Sequence, residues 1–126
     1  MEEDLQTLVK VCVKTGLHHG LNAELIDGFC HNHNLTRNQF FYIFAKHIAI
    51  EFADGELSYS DGDLPIMDLA AFVGADITPF VLEIYSAFDA GEFYREDDPS
   101  GTIPWQKYTL PNIMRILSNE APAPNT

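Results

Sequence analysis

The stretch from Thr36 to Asp54 constrains this chain more than any other. Thr36-x-x-Gln39 is a capping box, in which each side chain satisfies a backbone N–H that the start of a helix leaves open. It opens FFYIFAKHIAIEFA (40–53), the longest apolar-rich run of the 126 residues, and Asp54-Gly55 closes it. At about 100° per residue, Phe40, Phe44 and Ile48 mark the centre of an apolar face that other elements must cover. Lys46, His47 and Glu51 make the run too short and too polar to cross a bilayer. Glu51 falls inside the apolar face, with His47 one turn earlier. A carboxylate there must be paired or neutralised, and an i,i+4 His–Glu contact satisfies it. Such a pair is read as a structural polar contact near a helix end, with a general base or ligand pair as the alternative.

The rest of the pattern is helical. Leu5, Leu8, Val9, Cys12 and Val13 predict a first helix over 3–16. Asn22 caps a second over 23–33, burying Leu25, Ile26, Phe29 and Cys30. A fourth helix is expected over 64–73, ending near Gly74. Thr78-Pro79 reads as the cap and first residue of a fifth, with Gly91 just past its end. A last helix is expected over 110–118. Between them lie a turn-rich segment near 55–64, read as a loop or small hairpin around Asp61-Gly62, and a long acidic loop near 92–109 anchored by Trp105 and Tyr108. The expectation is an all-α single domain of five to six helices over 1–118, with a disordered tail at 119–126.

Charge bounds the function. Thirteen of the nineteen acids but only one of the seven bases, Arg95, lie between Glu51 and Asp98, so that segment carries the whole net charge of −12. This balance opposes direct contact with nucleic acid or an anionic membrane, both of which need clustered Lys and Arg. MEEDLQ lacks the basic and apolar regions of a signal peptide, and two cysteines are too few for a disulfide scaffold, so reduced thiols and a cytoplasmic location are expected.

Spacing bounds the candidate metal sites. In FCHNHN (29–34), His31 and His33 lie about 200° apart on a helix and cannot share an ion. Cys30 and His33 do share a face, and with Cys12 or His47 from a neighbouring helix could complete a tetrahedral set. A second short-spaced pair of soft ligands is lacking, so the preferred reading is structural: Cys30 buried, His33 at a boundary, His31 in solvent. His18-His19 reads as a helix-end pair beside terminal carbonyls. Glu96-x-Asp98-x-Ser100-Gly101 mimics the start of a calcium loop, yet the twelfth position is Lys107; the run 54–65 fails at its sixth position, Tyr59. No cofactor is expected. No Ser/His/Asp order, phosphate loop or HExxH occurs, and enzyme chemistry is not favoured.

Aromatics among acids are the remaining feature. Phe93, Tyr94, Trp105 and Tyr108 stand among acids from Asp89 to Asp98, as anchors inside a negative rim would. The residues expected to contact a basic protein are Asp89, Glu92, Tyr94, Glu96, Asp97, Asp98 and Trp105, with Asp61 and Asp63 next. The helix ending FADGE, the acidic turn before a short helix, and YSAFDAGEFYREDDP…WQKYTLP resemble small bacterial proteins of the toxin-immunity kind over residues 50–112. That resemblance implies a protein that neutralises a basic toxin by occluding its active site, and it assigns no individual residue. A DNA-mimic regulator of a nucleic-acid-binding protein, and a small metal-binding protein or enzyme using Cys30, His33, His47 and Glu51, are the alternatives.

Overall fold

A computed structural model describes residues 1–16 and 20–120. The expected pair His18-His19 and residues 121–126 of the expected tail lie outside that set. Six α-helices account for most of the described residues, and no strand occurs among them: α1 Glu2–Thr15, α2 Ala23–His33, α3 Arg37–Ala53, α4 Tyr59–Val73, α5 Pro79–Asp89 and α6 Leu110–Ser118. Local chemistry sets most of the ends. Glu2, Glu3 and Asp4 stand in the first turn of α1, where the helix dipole favours negative charge. The Asn22 side chain accepts from Leu25 N at 2.9 Å. Asn34 then ends α2 in the left-handed region at φ 55°, and the N–H groups of Asn34 and Leu35 both donate to the Cys30 carbonyl. Both halves of the capping box form, with Gln39 N donating to Thr36 Oγ1 at 3.1 Å and Thr36 N to Gln39 Oε1 at 2.9 Å. Pro79 starts α5 as expected, although the Thr78 hydroxyl makes no capping bond.

Two segments differ from expectation. Residues 56–65 form no hairpin or loop around Asp61-Gly62. Ser58 accepts from Asp61 N at 3.1 Å and starts α4 at Tyr59, five residues earlier than the pattern suggests. Asp61-Gly62 is a turn signal in isolation, but here packing overrides it. A Cβ on Gly62 would meet the Phe88 ring at 3.0 Å, so the glycine serves close approach of α4 to α5. The acidic loop is also shorter than 92–109, because helix resumes at its C-terminal end. Trp105–Thr109 is a π-helical turn leading straight into α6, with Leu110 N donating to the Trp105 carbonyl. Pro111 has no N–H to give the Lys107 carbonyl, so the regular ladder cannot run through this point. The wide turn carries Thr109 inward, where it is fully buried and its Oγ1 donates to the Ala87 carbonyl at 2.7 Å. Gly91 permits this closure: a Cβ there would meet Thr109 Oγ1 at 2.1 Å and the Trp105 backbone at 2.9 Å.

α3 is the central element and touches all five other helices. Seven of its residues are buried, from Phe40 and Phe41 through Phe44, Ala45, Ile48 and Ala49 to Phe52. Each fully buried Phe contributes about 1.5–3 kcal/mol relative to exposure. Phe40 and Phe44 stack at 5.3 Å, and Phe52 reaches Phe88 of α5 at 5.1 Å. Around this axis α1 packs on α4, α4 on α5, and α5 on α6. Tyr42 of α3 donates to Glu120, which fixes the chain just past α6. Cys12 is buried beside Asp68, and burial first, then the Asp68 charge, pushes its thiol far up, so it behaves as a small apolar group.

Candidate protein-interaction face

The acidic residues come from three places that the fold brings together: α4, the end of α5, and the loop that follows. Their anchor is Tyr59. Its ring lies between Phe88, with centroids 5.8 Å apart, and Trp105, at 6.3 Å and only 8° from parallel. Its hydroxyl donates to the Phe88 carbonyl at 2.5 Å. One helical turn on from Tyr59 stands Asp63, on the same face of α4. Burial pushes the Asp63 carboxyl up to about 7, and the charges of Glu92 and Asp89 add to that rise. Asp63 Oδ1 is buried without a hydrogen-bond donor. The same three carboxylates, after burial, push the Tyr59 phenol up. Asp63, Asp89 and Glu92 therefore form one negative focus, and the charges acting on Asp63 are both negative. Asp61 lies about 200° around α4 from Asp63 and sits in the first turn, where its charge meets the helix dipole.

The loop has an inner and an outer set. Asp98 belongs to the inner one: its side chain is 1% exposed and accepts from Lys107 Nζ at 2.6 Å, from the Tyr108 hydroxyl, and from Arg95 N at 2.8 Å. The hydrogen bonds from Lys107 and Tyr108 hold its carboxyl down at about 2. Lys107, which spoils the calcium-loop pattern, is thus the ion-pair partner of that pattern's third position. The Arg95 guanidinium lies over the Tyr108 ring at 3.6 Å. Both cations of the segment are engaged within it. The outer set is Tyr94, Glu96 and Asp97, all exposed, together with Phe93, which at 75% is the most exposed large apolar side chain among those described. Trp105 is half-buried. With Phe52, Leu57, Tyr59 and Leu110 it lines a cleft of about 520 Å³.

Of the nine residues expected at an interface, Asp63, Asp89 and Glu92 are thus brought together, while Tyr94, Glu96 and Asp97 face solvent on the adjoining loop. Asp61 stands apart, and Asp98 and Trp105 hold the scaffold from within. Tyr59 and Phe93 were not among those nine. The spacing of Tyr59 and Asp63 is a legible signal only once 58–73 is known to be helical.

The histidine and cysteine residues disperse. Cys30 is buried with its Sγ 3.6 Å from the Thr36 carbonyl, and His31 is exposed. His33 is half-buried and its Nε2 lies 2.6 Å from Asp4 Oδ2. His47 and Glu51 lie elsewhere on α3, and Glu51 accepts from Gln6 of α1. Among the described residues, no three His, Cys, Asp or Glu side chains are placed to hold a metal ion.

The pH dependence of Asp63 is directly measurable. A carboxyl raised by folding prefers its proton in the native state. Its contribution to stability is complete below pH 3.8 and lost as the pH rises through about 7. Asp63→Asn is therefore expected to stabilise the protein at pH 8. One pKa unit corresponds to about 1.4 kcal/mol, and screening at this half-exposed site reduces the gain to about 1–2 kcal/mol. The gain fades towards pH 4, as urea melts at both pH values would read. An equal difference at both would mean that folding does not raise the Asp63 carboxyl.

No helix among the described residues is long and apolar enough to cross a membrane. Comparison with protein-family models, with curated proteins and with solved structures returned no match.

Proposed function

We propose that this chain is an acidic protein-binding module that captures a basic protein in the cytoplasm, as an immunity protein does when it occludes the active site of a cationic toxin. The observation that supports this reading most is the focus at Asp63, whose carboxyl is raised by burial and further by the charges of Glu92 and Asp89. Carboxylates gathered at an energetic cost to the free protein are relieved when a Lys or Arg of a partner arrives. Beside them, Phe93 and Tyr94 are 75% and 66% exposed and supply the aromatic anchors that interfaces favour. The outward acids Glu96 and Asp97 extend the rim and steer association.

Capture from a lysate of the native host at low salt, with elution at high salt, tests this. A stoichiometric basic protein released by salt supports the reading, provided that a variant lacking the acids at 89, 92, 96 and 97 fails to retain it. Inhibition of that protein's nuclease or other toxic activity supports an immunity role. Displacement of its DNA supports a DNA-mimic role instead. Capture that is indifferent to salt and to the substitutions overturns the proposal.

A further inference from the structure

A second cluster of polar groups lies on the opposite helix pairing, where α1 meets α3, and has no part in the acidic face. The His47 side chain is 9% exposed, and its Nε2 lies 3.8 Å from Glu51 Oε1 with no hydrogen-bond partner. The same oxygen accepts a hydrogen bond from Gln6 Nε2 of α1. Gln6 and His47 thus address the same Glu51 oxygen. While the imidazole is neutral, the amide holds it. A protonated imidazole is a charge-assisted donor, about twice as strong as a neutral one.

We propose that Gln6, Glu51 and His47 form a proton-operated catch on α1: when His47 takes up a proton, Glu51 passes from Gln6 to His47, and the first half of α1 loses its polar tether to the central helix. The handover stays within α3, since His47 and Glu51 are one turn apart, so α3 is unaffected while α1 is released. The charges that act on His47 are those of Glu51 on its own helix and of Glu2 in the first turn of α1. Both favour the proton, and burial, the larger effect, opposes it and keeps the imidazole below its ordinary value of 6.5. The native state prefers the neutral ring, so the tether is intact above pH 6.5 and is lost as the pH falls through the lower native value. A second histidine contact holds the same helix: His33 of α2 lies 2.6 Å from Asp4 of α1, and it is removed in the test so that His47 alone is read.

The test is amide hydrogen exchange of the full chain in a His33→Gln background, read from neutral pH down to the acid limit of the folded state and corrected for intrinsic exchange rates. Protection of residues 5–12 is expected to fall at least about tenfold relative to α3 amides over that range. His47→Gln should abolish the fall. Gln6→Leu should show reduced α1 protection already at the higher pH, with no further drop. The imidazole resonances of His47, followed by NMR, should titrate over the same interval as the loss of protection. An unchanged α1, or a fall that persists in His47→Gln, overturns the catch.

Discussion

Phe88→Ala is expected to lower the unfolding free energy by about 3–5 kcal/mol, the range for removing a fully buried aromatic ring. Phe88 is entirely buried on α5, where it meets Phe52 of α3 at 5.1 Å and Tyr59 of α4 at 5.8 Å. Its ring also fills the space above Gly62, which has no side chain to swing into the gap. The cavity would be walled by rings on separate helices, and such walls collapse poorly. Against a typical total of about 5–15 kcal/mol, the loss brings the domain near its folding threshold. Phe88→Leu, which keeps much of the volume, should cost well under half as much. Urea unfolding can be followed by the single tryptophan, Trp105, which stacks on Tyr59 and so reports on this part of the core. A loss below about 1 kcal/mol for Phe88→Ala would show that the aromatic cluster lies outside the cooperative unit.

Neutralising Asp89, Glu92, Glu96 and Asp97 together, to Asn and Gln, should slow association with the captured basic protein by about 10–100-fold at low salt. The dependence of the association rate on ionic strength should flatten as well, since these side chains lie on the surface where ions screen them. Dissociation should change less, because rim charges act mainly on encounter. None of the four side chains is buried, so the substitutions should leave unfolding within about 0.5 kcal/mol per site of the parent. Neutralising Glu2, Glu3, Glu24 and Asp76 instead removes the same charge from elsewhere in the chain and serves as the control. Stopped-flow measurement over a salt series distinguishes the two sets. If both slow association equally, net charge rather than the face governs it.

Legibility from the sequence followed the range of the interactions involved. The ends of α2 and α3 were readable because Asn22, Thr36 and Gln39 act on backbone groups three residues away. Asp61-Gly62 misleads because its local preference for a turn is overruled by the contact of Gly62 with Phe88, a partner distant in sequence. The π-helical turn at Trp105 was hidden for the same reason, since its purpose is visible only once Thr109 is seen to reach the Ala87 carbonyl. At the candidate site, the charge run placed the acids correctly along the chain but could not sort them. Asp97 and Asp98 are neighbours in sequence, yet one faces solvent and the other is enclosed by donors that arrive from nine and ten residues away. Glu51 was recognised as a carboxylate needing a partner. The nearer candidate was His47; the closer contact is Gln6, forty-five residues earlier on another helix.

The enclosure of Asp98 has a further consequence. This carboxyl gains its proton only near pH 2, whereas Asp63 changes charge around pH 7. The loop that carries Phe93 and Tyr94 therefore keeps its frame throughout the interval in which Asp63 loads and unloads a proton. Shape and charge are decoupled: one outline is presented to a partner at two electrical strengths, and the choice between them falls within the range of pH that a cell can impose.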